Sequence, residues 1–269
     1  LKRGDDGTLG NSDMMPLWVL DTALGDGDRV VAFHWDGLST SLREAVVTGA
    51  VGDGMTYKSF PGTEAHLIRI ETWARLQQPP ASPFTTRRRP NDPYYVAPGD
   101  VQEGKVLYGA YCAECHEPAG ARFRSVIPAL ELGTDRHRLD MWTAEAVRRY
   151  SAYEDAYDWG FDAFQDKDGY LANELTGLWL KGPYLHNGSV PTLRALLEVP
   201  ERRPAVFYRG IDLVDAANGG FVSQPGTEAE RDGWRYDTAV PGNGNGGHLF
   251  GTELNAAEKR QLLAYLKTL

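Results

Sequence analysis

Cys112-Ala113-Glu114-Cys115-His116 holds the only two cysteines of the chain, with two residues between them and a histidine directly after the second. The spacing lets two thioethers clamp one porphyrin while His116 reaches under its iron, so the stretch reads as a c-type haem attachment site. Two other chemistries use Cys-x-x-Cys. A redox dithiol expects a βαβ frame and gains nothing from His116, and a structural zinc site needs two further ligands at short spacing, where the chain has no third cysteine. One covalent haem c is the expected cofactor, held by Cys112 and Cys115 with His116 as the proximal ligand. The occupant of the sixth iron position then separates electron transfer from catalysis.

The 269 residues are 42% hydrophobic, enough for a buried core in one large or two small units. The 30 Gly and 16 Pro predict long irregular connections. A net charge of −9, with basic residues only in short runs such as Arg87-Arg88-Arg89, argues against nucleic acid as a partner. The expected partner is a redox protein or a second haem domain. No apolar run reaches membrane-spanning length and no signal sequence opens the chain, which starts at Leu1 and reads as processed or truncated. Because haem c is attached outside the cytoplasmic membrane in bacteria, the expected location is periplasmic or extracellular, and a chain with no thiol left over suits it.

The chain divides in two. Residues 1–98 read as a small helical and loop segment: a capping box at Ser41-Leu42-Arg43-Glu44, a helix from Thr63 to Gln78 stopped by Pro79-Pro80, and an extended linker from Ala81 to Pro98. Residues 99–269 read as the haem domain. It opens with a second capping box, Asp100-Val101-Gln102-Glu103, and closes with a third, Asn255-Ala256-Ala257-Glu258, before a helix bearing Leu262, Leu263, Leu266 and Leu269. Helices are also expected near Thr143 to Tyr150 and from Pro191 through Leu197, with a loop-rich insertion from about Glu201 to Gly251 and no strand-rich region. The expected fold is mainly α, a class I cytochrome c-like domain whose first and last helices cross. Asp166-Lys167-Asp168-Gly169 resembles part of a calcium loop, but Phe164 cannot ligate, so a turn is preferred to calcium.

Three phrases resemble one family. Gly182-Pro183-Tyr184-Leu185-His186-Asn187-Gly188-Ser189-Val190-Pro191-Thr192-Leu193 is similar to the signature of the bacterial dihaem cytochrome c peroxidases and MauG-like enzymes, the rubber oxygenases included. Pro16-Leu17-Trp18, followed by His34-Trp35-Asp36-Gly37 and Ser41-Leu42, resembles that family's segment between its two haem sites. Gly246-Gly247-His248-Leu249-Phe250-Gly251-Thr252 resembles the end of the rubber-oxygenase-like branch. The family carries two attachment motifs and this chain keeps only the second. The resemblance implies that the chain retains the haem that relays electrons and lacks the one where peroxide or oxygen reacts; it also implies that Trp35 matches a tryptophan thought to carry electrons between the haems.

The methionines are Met14, Met15, Met55 and Met141, so none occurs in the region from Gly182 onward where a cytochrome c usually places its methionine ligand. After the attachment site the histidines are His137, His186 and His248. His137 sits in a charged run and reads as a solvated loop. His248 follows a glycine-rich stretch that lets the backbone approach the macrocycle and turn sharply, and it is the favoured sixth ligand. His186, with Tyr184 and Asn187, is expected to support the haem surroundings, and Arg194 is a candidate partner for a propionate. His34 and His66 default to structural or exposed roles. The leading function is electron transfer through a bis-histidine haem c in a chain that is part of, or derived from, a dihaem oxidoreductase. A peroxidase or oxygenase with an openable sixth site, and a haem-bearing structural subunit of a redox complex, are the alternatives.

Overall fold

The computed structural model of the chain describes residues 10–18, 20, 32–56, 59–152 and 167–269. Asp166 and Phe164 of the suspected calcium loop lie outside the described residues. Leu42–Gly52 forms α1, whose N-cap Ser41 accepts from the Glu44 amide as the sequence pattern requires. The next helix, α2, covers Phe60–Arg75 rather than Thr63 to Gln78. Pro61 supplies a preset φ in the first turn, and Pro79 disfavours helical backbone at Gln78, so both ends move toward the N-terminus. The third, α3, covers Pro98–Tyr111 and also starts earlier than expected: Pro98 takes the first turn, Ala97 at the N-cap makes no side-chain bond, and Asp100 pairs with Arg260 at 3.2 Å instead of capping.

In chain order there follow α4 (Ala113–His116), β1 (Val126–Pro128), α5 (Ala129–Leu132), α6 (His137–Asp140), α7 (Ala144–Ser151), β2 (Gly169–Leu171), α8 (Leu193–Leu196), β3 (Val206–Arg209), α9 (Glu228–Asp232), β4 (Trp234–Asp237) and α10 (Ala256–Leu266). Thr143 caps α7, and Thr192 caps α8, which is shorter than the helix expected from Pro191. β1 pairs antiparallel with β2, Ile127 facing Tyr170, and β3 pairs antiparallel with β4, Phe207 facing Tyr236. The insertion read as loop thus carries a small sheet. Its strands are too short for an alternating pattern to stand out, and they are joined by a long connection instead of a hairpin turn.

The core lies where α3 crosses α10. A Cβ added to Gly104 would sit 2.0 Å from the Gln261 carbonyl oxygen, so only glycine lets these two helices approach so closely. Around that crossing Leu262, Leu263 and Leu266 are buried with Tyr108, Val190 and Leu193, and the Tyr108 and Tyr265 rings lie 5.2 Å apart. The capping box of Asn255 and Glu258 is fully formed and sets the start of α10. The stretch expected as a linker is packed: Phe84 and Val96 bury against Ala264, and the Ser82 hydroxyl donates to the Lys267 carbonyl at 2.6 Å. Tyr150 of α7 donates to Glu44 at 2.8 Å and meets Thr48 at 2.9 Å, so α1 is tied to the haem-motif half as well. Among the described residues no helix is long and apolar enough to cross a membrane.

Candidate haem site

α3 ends where Cys112 leaves helical geometry (φ −128°), and the chain restarts as the single turn α4. On a helical turn positions i, i+3 and i+4 share one face, which puts Cys112, Cys115 and His116 on one wall of a large cavity. The opposite walls come from β2, the segment after it, α8 and the loop before α10; leucines at 171, 175, 178, 193, 196 and 197 make them apolar. With its mouth included the cavity holds about 1370 Å³ of empty space. Both cysteines are free. Burial pushes the Cys112 thiol up to about 12, and burial likewise raises Cys115. Among the described residues no three His, Cys, Asp or Glu side chains converge as they would on a bare metal ion.

His116 Nδ1 lies 2.6 Å from the Asn173 carbonyl oxygen. A carbonyl only accepts, so Nδ1 carries the proton and Nε2 keeps its lone pair, the tautomer and second partner found behind metal-bound histidines. Burial holds the imidazole below its usual pKa, neutral and able to ligate, with the Lys181 charge adding to the shift. His248 lines the same cavity, its ring centroid 6.4 Å from that of His116. Two imidazoles bound to opposite faces of one metal, each with a bond of roughly 2 Å, have centroids about 6 Å apart. Burial first, then the charges of His116 and Arg203, lower His248 to about 4. Its Nδ1 is buried with no hydrogen-bond partner among the described residues. Paired thiols, two neutral imidazoles at this separation and an apolar chamber between them fit a haem c.

Of the other expected site residues, Tyr184, Trp35 and His186 border the cavity, while Asn187 and Arg194 do not. Tyr184 is buried and donates to the Leu178 carbonyl at 3.2 Å, which fixes the wall beneath its ring. Trp35 donates through Nε1 to the Asp13 carbonyl at 2.8 Å, and its own carbonyl accepts from Leu171 at 2.7 Å. His186 is stacked on Tyr170 with ring centroids 3.9 Å apart, and burial lowers its pKa to about 4. The Tyr170 hydroxyl donates to the Asp135 carbonyl at 2.7 Å, so toward His186 Nε2, 3.1 Å away, its oxygen accepts and Nε2 carries the proton. Asn187 donates to the carbonyls of Gly242 and Gly244, both at 3.0 Å, and so holds the loop that presents His248. Arg194 is exposed on α8 and does not line the cavity; helical periodicity turns it outward while Leu193 and Leu196 face in. His137 is half-exposed beside Asp135, His66 is exposed, and Met141 stays outside the cavity, whereas Met14 reaches its rim. Asp168 pairs with Arg136 at 2.8 Å.

The glycines before His248 serve a different contact from the expected one. A Cβ at Gly247 would lie 2.4 Å from the Leu132 oxygen and the Gly133 carbonyl carbon, so the close approach is to the turn after α5 and not to the cavity. His248 itself has φ +48°, a left-handed backbone that a histidine adopts only where its surroundings hold it, and its amide donates to the Leu132 carbonyl at 2.8 Å. The holder is Arg203. Its buried guanidinium donates to the carbonyls of Glu198, Asn245, Gly247, Leu196 and His248 at 2.5 to 3.3 Å. Nothing in Arg202-Arg203-Pro204 marks one arginine as buried; only the packed loop distinguishes them.

Residues 169–208, which carry β2 and the Gly182 to Leu193 motif, match the RoxA-like, cytochrome c-like family. The cofactor implied is haem c. The match supports a haem c-binding protein related to the dihaem peroxidases and rubber oxygenases. The chain is also similar to two proteins of Sinorhizobium fredii (strain NBRC 101917 / NGR234). It is 42% identical to the uncharacterized protein y4iJ over 109 residues, 37% of this chain and 18% of that protein. It is 30% identical to the uncharacterized protein y4iM over 165 residues, 49% of this chain and 36% of that protein. The chain therefore spans well under half the length of either relative.

Proposed function

We propose that this chain is an electron-transfer unit with one haem c, part of or derived from a dihaem oxidoreductase, in a class I cytochrome c-like domain. The thiols of Cys112 and Cys115 would hold the porphyrin through two thioether links. The group supplies a one-electron ferric/ferrous couple. His116 and His248 would hold its iron, their rings lying 6.4 Å apart at the same cavity. Two fixed neutral ligands keep the metal low-spin and leave little to rearrange between oxidation states. The observation that carries the reading is the 6.4 Å between the His116 and His248 rings across the cavity that the two cysteines border.

Other residues support the same role. Arg203 and the contact of Gly247 with Gly133 keep His248 from swinging away, which argues against a sixth site that opens for peroxide or oxygen. The proton on His186 Nε2 turns that nitrogen from iron toward Tyr170, which favours His248 as the ligand. Trp35, anchored to Asp13 at the cavity wall, gives the electron an aromatic exit toward a redox partner protein or a second haem domain. Attachment of haem c outside the cytoplasmic membrane in bacteria supports a periplasmic or extracellular location. Optical spectra of the oxidised and dithionite-reduced protein, with and without carbon monoxide, test the reading. The wild type is expected to be low-spin and inert to carbon monoxide, His248→Ala high-spin and carbon monoxide-binding, and His186→Ala low-spin. Rapid carbon monoxide binding and peroxide turnover by the wild type would overturn it.

A further inference from the structure

Lys181 follows the tight turn Leu178–Leu180 and lines the same cavity as Cys112, Cys115, His116 and His248. Its Nζ donates to the Glu174 carbonyl at 2.7 Å and, among the described residues, forms no ion pair. The nearby Glu174 carboxylate is already engaged, by Arg124 at 3.2 Å and by the Thr176 hydroxyl at 2.6 Å. An ammonium has three donors, and here one is used, in a chamber otherwise walled by leucines and aromatic rings. A cation placed there without an anion is costly, and burial lowers its pKa to about 8, Arg124 adding to the effect against Glu174. Among the described residues no carboxylate forms an ion pair with this ammonium, and Glu174 reaches it only through its backbone carbonyl and the field of a carboxylate already held by Arg124. The anions that the expected occupant of the cavity brings are its two propionates.

We propose that Lys181 is the counter-ion of a haem propionate. The inference rests on the haem reading above and adds a residue that neither the attachment motif nor the axial ligands identify. A fixed positive charge on a propionate disfavours ferric iron relative to ferrous and keeps the propionate ionised through the redox change. The charged and titratable groups facing it are Glu174, Arg124 and His116.

The test is a potentiometric titration of the haem-loaded full chain across neutral pH. Lys181→Met is expected to have a lower midpoint potential than the wild type and a new pH-dependent step, as the uncompensated propionate takes up a proton on reduction. Lys181→Arg is expected to restore both. A haem-loaded Lys181→Met with unchanged potential and pH profile overturns the proposal, as does an arginine variant as low as the methionine one. Absence of covalent haem from the wild type would instead sink the haem reading. Where Lys181→Met does not retain haem, infrared pH titration of the wild type with 13C-carboxylate-labelled propionates decides: one propionate ionising well below the other supports the pairing, and two that titrate like free porphyrin carboxylates overturn it.

Discussion

The two walls of the cavity that carry His116 and His248 are built in opposite ways. On the first, Cys112, Cys115 and His116 share one helical turn, and a single backbone carbonyl, that of Asn173, orients the imidazole. On the second, His248 sits in a loop with left-handed backbone, held by Arg203 on one side, Gly133 on another and Asn187 from the Gly182 to Leu193 motif. Local helix geometry positions the first histidine; long-range hydrogen bonds and close backbone packing position the second. The first wall should therefore survive changes that destroy the second.

The largest effect expected is at the motif. Cys112→Ala with Cys115→Ala should abolish covalent attachment, read as complete extraction of haem into acidified organic solvent; haem retained by the double variant would break the assignment of the first wall. Next comes the second wall. Arg203→Met leaves five carbonyls without their buried donor and should cost on the order of 3–5 kcal/mol in denaturant unfolding. It should also loosen His248, giving a mixed-spin spectrum while His116 stays bound. A fully low-spin variant of unchanged stability would show that Arg203 does not hold the loop.

The crossing of α3 and α10 supports both walls. Leu262 is fully buried there, so Leu262→Ala should cost roughly 2–5 kcal/mol, and a change within about 0.5 kcal/mol would place the side chain outside the core. The smallest effect expected is acid sensitivity of the haem-free chain through His186, whose pKa drops from 6.5 to about 4 on burial. A depressed histidine means that the unfolded chain takes up the proton first. Its contribution is thus intact above about 6.5, shrinks by at most about 1.4 kcal/mol per pH unit as pH falls toward 4, and is flat below. His186→Phe should reduce the slope in that window in pH-dependent urea unfolding, leaving the part that His248, lowered to about 4 as well, contributes; an unaltered slope would mean that His186 carries none of it.

What could be read from the linear chain follows the same division. The attachment motif, the caps at Ser41 and Asn255, the helix near Thr143 to Tyr150 and the apolar stripe of α10 are short-range patterns, in which one turn of backbone sets the outcome. Errors of a few residues came at α2, which starts before Thr63 with Pro61 in its first turn, and at α3, where Pro98 overrode the cap pattern at Asp100. The sheet of β3 with β4 was not legible, because its strands pair across a long connection. His248 stood out only by its glycines, and for a reason other than the one that holds: Gly247 makes room for Gly133, not for a macrocycle.

By itself the sequence determined that two cysteines and an adjoining histidine carry the spacing of a haem c attachment site, because that spacing suits two thioethers and one proximal ligand. It determined too that the chain carries no methionine after Met141. The tertiary structure alone decided which later histidine stands opposite His116, that Arg203 is the arginine sealed beneath that loop, and that Lys181 lines the cavity with no ion pair among the described residues. Each of those outcomes depends on residues far apart in the chain meeting in a low-dielectric interior, where an unsatisfied donor or charge is costly enough to select one arrangement over its neighbours.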